Sequence, residues 1–385
     1  MKNTGINNKE PANKGSEILE RACLNWMAQI PGVGKQTAGR LLKKFGSAAK
    51  VYSASLPEWK DTVPERICNA MMKRRESSDI IRDYQNLAEK DLCITACYLN
   101  DYPERLRQIP DSPVFLYYRG RLPENSIPSV AIIGARDCSS YGRYTAQLFA
   151  EAFAEAGLQI ISGLASGIDG IGQTAACRCG GKCFAVLGSG ADVCYPASNR
   201  QLYEDIIHTE GGIISEYTPG TQPSPGLFPP RNRIISELSD LILVVEAKEK
   251  SGTMITVDMA LEQGKEVYAI PGRITDSFQA GCHKLIRQGA GMATSPWDIL
   301  EAMGIPKTSQ ISREVELSEK ELRIWKILDT DPKSMEQIWR EVRAEVQEKE
   351  NGRIENIQEI MYLLVVLCSK GVAEQQGTSY RKIVF

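Results

Sequence analysis

The chain has 385 residues, with 46 Lys and Arg against 48 Asp and Glu and a formal net charge of −2. That length suits two or three domains of roughly 150 residues, and no apolar run reaches the ~18–20 residues of a membrane span. A polar start, 11 irregularly spaced cysteines and only two histidines, His208 and His283, argue against a secretory signal, a disulfide framework and His-based hydrolase or zinc chemistry, so a cytoplasmic protein is expected.

The charge is not evenly spread. Residues 1–90 carry 16 Lys/Arg and 10 Asp/Glu, residues 91–305 carry 17 and 24, and residues 306–385 carry 13 and 14. In bulk, only the N-terminal part is expected to attract a polyanion.

In chain order, residues 1–16 are polar and read as a disordered lead. Residues 17–90 read as a helical domain, with Leu24, Met27 and Ile30, then Leu41, Leu42 and Phe45, at helical spacing. Pro31-Gly32-Val33-Gly34-Lys35 between them stops one helix and opens the next, a helix–hairpin–helix pattern. Gly32, Gly34 and Lys35 leave backbone N–H groups and a cation for a phosphate, a secondary nucleic-acid contact. A tight turn without a ligand reads equally well.

Residues 91–303 read as a doubly wound α/β domain. A connecting region with several prolines comes first. Short apolar runs then alternate with helical patterns at 129–134, 158–163, 184–188, 212–216, 241–246 and 267–272. Continuous apolar strands alternating with helices imply a mainly parallel sheet covered on both faces, a Rossmann-like architecture. Residues 304–316 read as a linker. Residues 317–385 give three helical patterns and a hairpin around Gly377-Thr378, a winged-helix pattern. Its first helix opens on a capping box, Ser318 with Glu321; the cap of the second, at Ser334 with Glu336, is one position out of register. This domain has no basic excess, so a protein-contact or autoregulatory role is expected rather than duplex binding.

In open parallel sheets ligands bind at the carboxyl ends of the strands. The chain sets Gly- and Ser-rich turns there: Gly134 to Ser140, Ser162 to Asp169, Leu187 to Asp192 and Glu246 to Thr253. Neither a Walker A nor a dinucleotide glycine motif is present. Arg136 and Lys182 flank these turns. The densest group is Phe228-Pro229-Pro230-Arg231-Asn232-Arg233, where Arg forks suit phosphate oxygens, Asn a base or sugar, and Phe an unpaired base. Arg231 and Arg233 can alternatively pair inside the domain with Glu216 or Glu246, and at least one of the two is expected to be structural. Cys177, Cys179, Cys183 and Cys194 lie close in sequence, but helix and strand separate them. Buried thiols are expected, not a metal site.

These motifs carry a resemblance. Ile133 to Gly142, Ser162 to Asp169, Tyr195 to Asn199, Ser215-Glu216, Phe228 to Ile235, Val244 to Ala247, Ser251 to Thr253 and Pro271-Gly272 together resemble the DNA-processing protein A (DprA/Smf) family. The resemblance implies a protein that binds single-stranded DNA, protects the incoming strand in natural transformation, loads the RecA recombinase and forms a homodimer through the α/β domain. It implies neither catalysis nor a cofactor. Carried over, Arg136, Ser139, Ser140, Gly163, Arg231, Asn232 and Arg233 line the DNA cleft, with Ser251, Gly252 and Thr253 near a phosphate and Phe228 stacking on a base; Ser166 and Lys182, beside the turns, are expected to add DNA contacts. Replacing Arg136, or Arg231 together with Arg233, is expected to weaken strand binding with little loss of fold. Two positions depart from the family pattern: Gln173 stands where a His is usual, and His283 where an Asn is common. The alternative is a nucleotide-processing enzyme similar to the phosphoribohydrolases, with Glu246 as its acid, although the glycine loop is incomplete.

Overall fold

The computed structural model describes residues 11–306, 317–348, 356–370 and 372–382. Most of the expected lead and linker lies outside them. The first helix, Pro11–Ala28, begins within the stretch expected to be unstructured.

Further helices follow at Lys35–Phe45, Ala48–Ser53, Leu56–Lys60, Glu65–Ser77 and Ile80–Ala88. The first helix ends before Pro31, and Gly32 turns the chain at φ +87°, a conformation open to glycine without strain. Trp26 and Trp59 are buried between these helices, and the Trp59 indole N–H reaches the Val51 carbonyl at 2.9 Å.

Nine strands form one sheet: β1 (Leu92–Ala96), β2 (Phe115–Gly120), β3 (Ser129–Ile133), β4 (Gln159–Ser162), β5 (Cys183–Val186), β6 (Gly212–Ser215), β7 (Leu241–Val244), β8 (Glu266–Ala269) and β9 (Gly291–Met292). Their order is β1-β2-β6-β5-β4-β3-β7-β8-β9. From β6 to β9 every pair is parallel. The six apolar runs are strands β3 to β8. The pair β1 and β2 lies in what the sequence presents as a connection and adds an antiparallel edge to β6.

Both faces of the sheet are covered, as unbroken apolar strands require. Val130, Ile132 and Ile160 pack on one face in a core continuous with the N-terminal helices. Ala131, Ile133 and Ile161 pack on the other, against Ile234, Ile235 and Leu238. The Tyr117 hydroxyl meets the Asn25 amide oxygen at 3.0 Å, so sheet and N-terminal helices also share a polar contact.

The C-terminal unit contains helices Glu319–Ile327, Met335–Glu348 and Ile357–Ser369. A three-stranded antiparallel sheet joins them: β10 (Lys333–Ser334), β11 (Ala373–Gln376) and β12 (Ser379–Lys382), in the order β10-β12-β11. The Ser318–Glu321 capping box forms. At Ser334 the partner is Gln337, not Glu336: the Ser334 N–H donates to its side chain at 2.7 Å, and the Ser334 hydroxyl accepts from its N–H at 3.3 Å.

Candidate nucleic-acid interface

Strand order reverses between β3 and its neighbour β7. The helix after β3, Ser140–Glu155, buries Phe149 and Phe153 on one face, while the helix after β7, Gly252–Glu262, buries Val257 and Ala260 on the other. Helices that leave neighbouring strands on opposite sides of the sheet open a crevice at the strand ends. Here it is a cleft of about 630 Å3.

One wall is a stack of cation and rings. Arg136 is exposed on the turn after β3, and its guanidinium lies 5.4 Å from the centre of the Phe228 ring. Phe228 stacks in turn on Tyr195, with centroids 5.7 Å apart and planes at 28°. Arg136 has no carboxylate partner among the described residues. Local sequence sets this wall. Pro229 and Pro230 are tolerated only in a helix's first turn, so Phe228 is the first residue of the helix Phe228–Leu238. Gly188 lets the ring sit on the strand end, since a Cβ there would lie 2.7 Å from it.

The facing wall carries Lys248, Ser251, Gly252, Thr253 and Asn232. Ser251 precedes the helix Gly252–Glu262, and its hydroxyl has no hydrogen-bond partner among the described residues. A free hydroxyl beside a helix N-terminus suits an anionic oxygen.

Below the cleft, Arg231 belongs to the framework. It is 6% exposed, and its Nη1 donates to the Gly163 carbonyl at 3.0 Å and to the Val186 carbonyl. The buried Asp169 carboxylate accepts from the Gly163 N–H at 3.1 Å. A Cβ on Gly163 would lie 2.8 Å from the guanidinium and 2.9 Å from the carboxylate. Glycine is therefore required between the two charges. Burial pushes the Asp169 carboxyl up while Arg231 opposes the shift, and the same burial pulls Arg231 down to about 10.

Arg233 is also interior. It clamps Glu216 through Nη2 at 2.8 and 2.7 Å and meets Asp111 at 2.8 Å. Lys35 pairs with the same Asp111, so its ammonium joins this ion cluster rather than standing free beside Gly32 and Gly34. Burial holds the Lys35 ammonium below its usual range, and neighbouring Arg233 adds to the effect. The expectation that Arg231 and Arg233 can be removed with little loss of fold is corrected by these contacts.

Ser139 is committed as well. Its hydroxyl accepts from the Gly142 N–H at 3.0 Å and donates to the fully buried Glu246, which also accepts the Ser139 N–H at 2.9 Å. The Ser140 carbonyl accepts from Arg381 Nη1 of β12 at 3.0 Å, a contact with the C-terminal unit. Ser166 is exposed on the turn after β4. Lys182 lies at the amino end of β5, on the opposite edge of the sheet, and pairs with Glu124 at 2.7 Å. The cleft thus brings together Arg136, Phe228, Asn232, Ser251, Gly252 and Thr253, with Arg231 at its floor. Tyr195 and Lys248 were missed. Tyr195 is an aromatic in a loop after a strand, 45% exposed, and that loop position is the signal that could have found it.

The turns also support one another. Gly167 adopts φ +79°, and a Cβ there would lie 2.2 Å from the Ala135 carbonyl oxygen and 2.4 Å from that of Arg136. Gly167→Ala is expected to destabilise the fold by at least about 1–3 kcal/mol, measured by urea unfolding. An unchanged midpoint would show that this turn does not hold Arg136 in place.

Gln173 is buried, accepting from the Leu164 N–H at 3.2 Å and donating to the Phe184 carbonyl at 3.1 Å. His283 Nε2 lies 3.0 Å from the Gly272 carbonyl. Both departures from the family pattern hold backbone. The thiols of Cys177 and Cys183 do meet: their shared hydrogen bond pulls Cys177 down and pushes Cys183 up. Cys179 is exposed beside them. Among the described residues no three His, Cys, Asp or Glu side chains converge as a metal site.

Residues 94–304 match the family described as DNA recombination-mediator protein A. The DNA processing protein DprA of Streptococcus pneumoniae is 45% identical over 199 residues, covering 52% of this chain and 70% of that protein. Protein Smf of Synechocystis is 35% identical over 295 residues, 74% of each chain. The X-ray structure of Streptococcus pneumoniae DprA is similar at a TM-score of 0.60 and 34% identity, covering 78% of this chain and 98% of that one. The matched segment contains the whole nine-stranded sheet except the first two residues of β1. The chain belongs to the DNA recombination-mediator protein A family.

Proposed function

We propose that this protein binds single-stranded DNA in the cleft at the carboxyl edge of its sheet, protects the strand and passes it to a RecA-type recombinase during DNA uptake in the cytoplasm. One observation carries the reading: the exposed, carboxylate-free Arg136 lies over the Phe228 ring, which stacks on Tyr195. Such a platform offers a π-face to an unpaired base and a cation to its phosphate. Paired bases keep their faces stacked within the duplex, so a single strand is the better ligand. The recombinase partner rests on the family's role as recombination mediators. A homodimer through the α/β unit is supported by exposed apolar side chains on the β8–β9 side, Leu261 at 58% and Met292 at 53%. The C-terminal unit is read as a winged helix with an autoregulatory or protein-contact role, supported by the Arg381 bond to Ser140. The enzyme reading is weaker, because Glu246 is fully buried against Ser139 and does not line the cleft.

The test is a gel-shift comparison of single- and double-stranded DNA with the whole protein and with Arg136→Ala. Loss of a charged hydrogen-bond donor is worth about 1.5–3 kcal/mol, roughly 10- to 150-fold in affinity. Arg136 is exposed and makes no ion pair among the described residues, so the variant should melt like the parent. Equal single-strand affinity of the two proteins at moderate salt would remove the cleft from consideration.

A further inference from the structure

The cleft does not end at Arg136. A second, open groove of about 420 Å3 begins there and runs between the helices Ser140–Glu155 and Ile168–Arg178. Arg136 and Asp137 line both spaces. Helical periodicity builds the walls: Arg143 and Gln147 stand four apart on one helix, and Ile171, Thr174 and Arg178 follow at three and four on the other. Arg143 and Arg178 are exposed and, like Arg136, have no carboxylate partner among the described residues. Against these three cations the lining has a single carboxylate, Asp137.

Elsewhere this domain is acidic, so an arginine-lined track through it stands out electrostatically. Unlike the cleft, the groove has no aromatic ring in its lining. It therefore has nothing to stack a base on, but it can hold a sugar-phosphate backbone, with the Gln147 amide and Ser166 hydroxyl, both in its lining, as further donors. Its second wall, the helix Ile168–Arg178, leads away from the sheet edge for about 12 Å between Gly170 and Arg178, at 1.5 Å per residue.

We infer that this groove is a second nucleic-acid subsite, which takes the phosphates of a single strand as it leaves the cleft past Arg136. The inference rests on the cleft reading and extends its footprint in one direction. Arg143 and Arg178 each neutralise one phosphate, and neither contacts a base, so the subsite adds affinity without sequence preference.

The test uses the full chain and fluorescent oligo-dT of increasing length, titrated at several salt concentrations. Arg143→Ala with Arg178→Ala should bind the shortest oligomers, which fill the cleft alone, as the parent does. It should lose the affinity that the parent gains with added nucleotides. For long oligomers, the slope of log K against log salt should become shallower by about 1.4, since each single-strand phosphate contact contributes ~0.7. Arg143→Lys with Arg178→Lys should restore the slope. A double Ala variant with the parent's length dependence and slope overturns the subsite, and so does an equal loss at every length. Failure of the cleft reading looks different: the parent itself, or Arg136→Ala compared with it, shows no cleft-dependent binding of even the shortest oligomer, and both proposals then fall.

Discussion

Arg231→Ala is expected to destabilise the protein by about 3–5 kcal/mol, the cost of stripping a partner from a buried charge pair. Arg231 is held by the Gly163 and Val186 carbonyls and faces Asp169 across Gly163. Its removal orphans two buried carbonyls and leaves the Asp169 carboxylate without its opposing cation. The sign of the pH dependence follows. Burial already raises the Asp169 carboxyl, and without Arg231 it must rise further. A carboxyl raised in the folded state stabilises below its unfolded value, about 3.9, and that stability is lost as pH rises through the folded value. The variant should therefore lose most relative to the parent at neutral pH and less near pH 4. Asp169→Asn in the same background should recover part of the loss at neutral pH. Urea unfolding at the two pH values measures this. A loss below 1 kcal/mol at neutral pH would return Arg231 to the role of a free DNA contact.

The second large effect is on binding. Phe228→Ala is expected to weaken single-strand affinity by about 1–3 kcal/mol, roughly 5- to 150-fold, the worth of one base stacked on an aromatic side chain. Phe228→Trp should retain most of it. The ring also supports the Arg136 guanidinium, so the two sites are coupled. Phe228→Ala combined with Arg136→Ala should cost less than the two single losses added together. Fluorescence anisotropy with labelled oligo-dT provides the measurement. Parental affinity in Phe228→Ala would mean that the strand is gripped by charge alone and that the Tyr195–Phe228 pair is a packing feature.

Much of the fold is legible because its signals are local. The strands β3 to β8 are short apolar runs, the first three closed by Gly134, Gly163 and Gly188, and the capping box at Ser318 follows from residues three positions apart. The strands β1 and β2 are less legible. They gain their meaning by pairing with each other and with β6, more than 90 residues further on. The cleft was legible as a set of turns, since any doubly wound sheet gathers its strand ends. The role of each arginine was not. Arg136, Arg231 and Arg233 are the same residue type in similar Gly- or Pro-rich surroundings. One is exposed over a ring, one is buried beneath a glycine and one is locked to Glu216 and Asp111.

The sequence by itself determined the parallel α/β sheet, the edge where its glycine-rich turns gather and the family. Hydrophobic period, glycine placement and motif order all act over short range. Tertiary structure alone decided which charges are available to a ligand. Lys182 went to the far edge, Lys35 and Arg233 into an ion cluster, and Ser140 under Arg381. Only contacts between distant segments decide whether a charge is neutralised inside the protein or left for a partner. The physical reason is that a buried cation must find a carboxylate or carbonyl, and an exposed one need not.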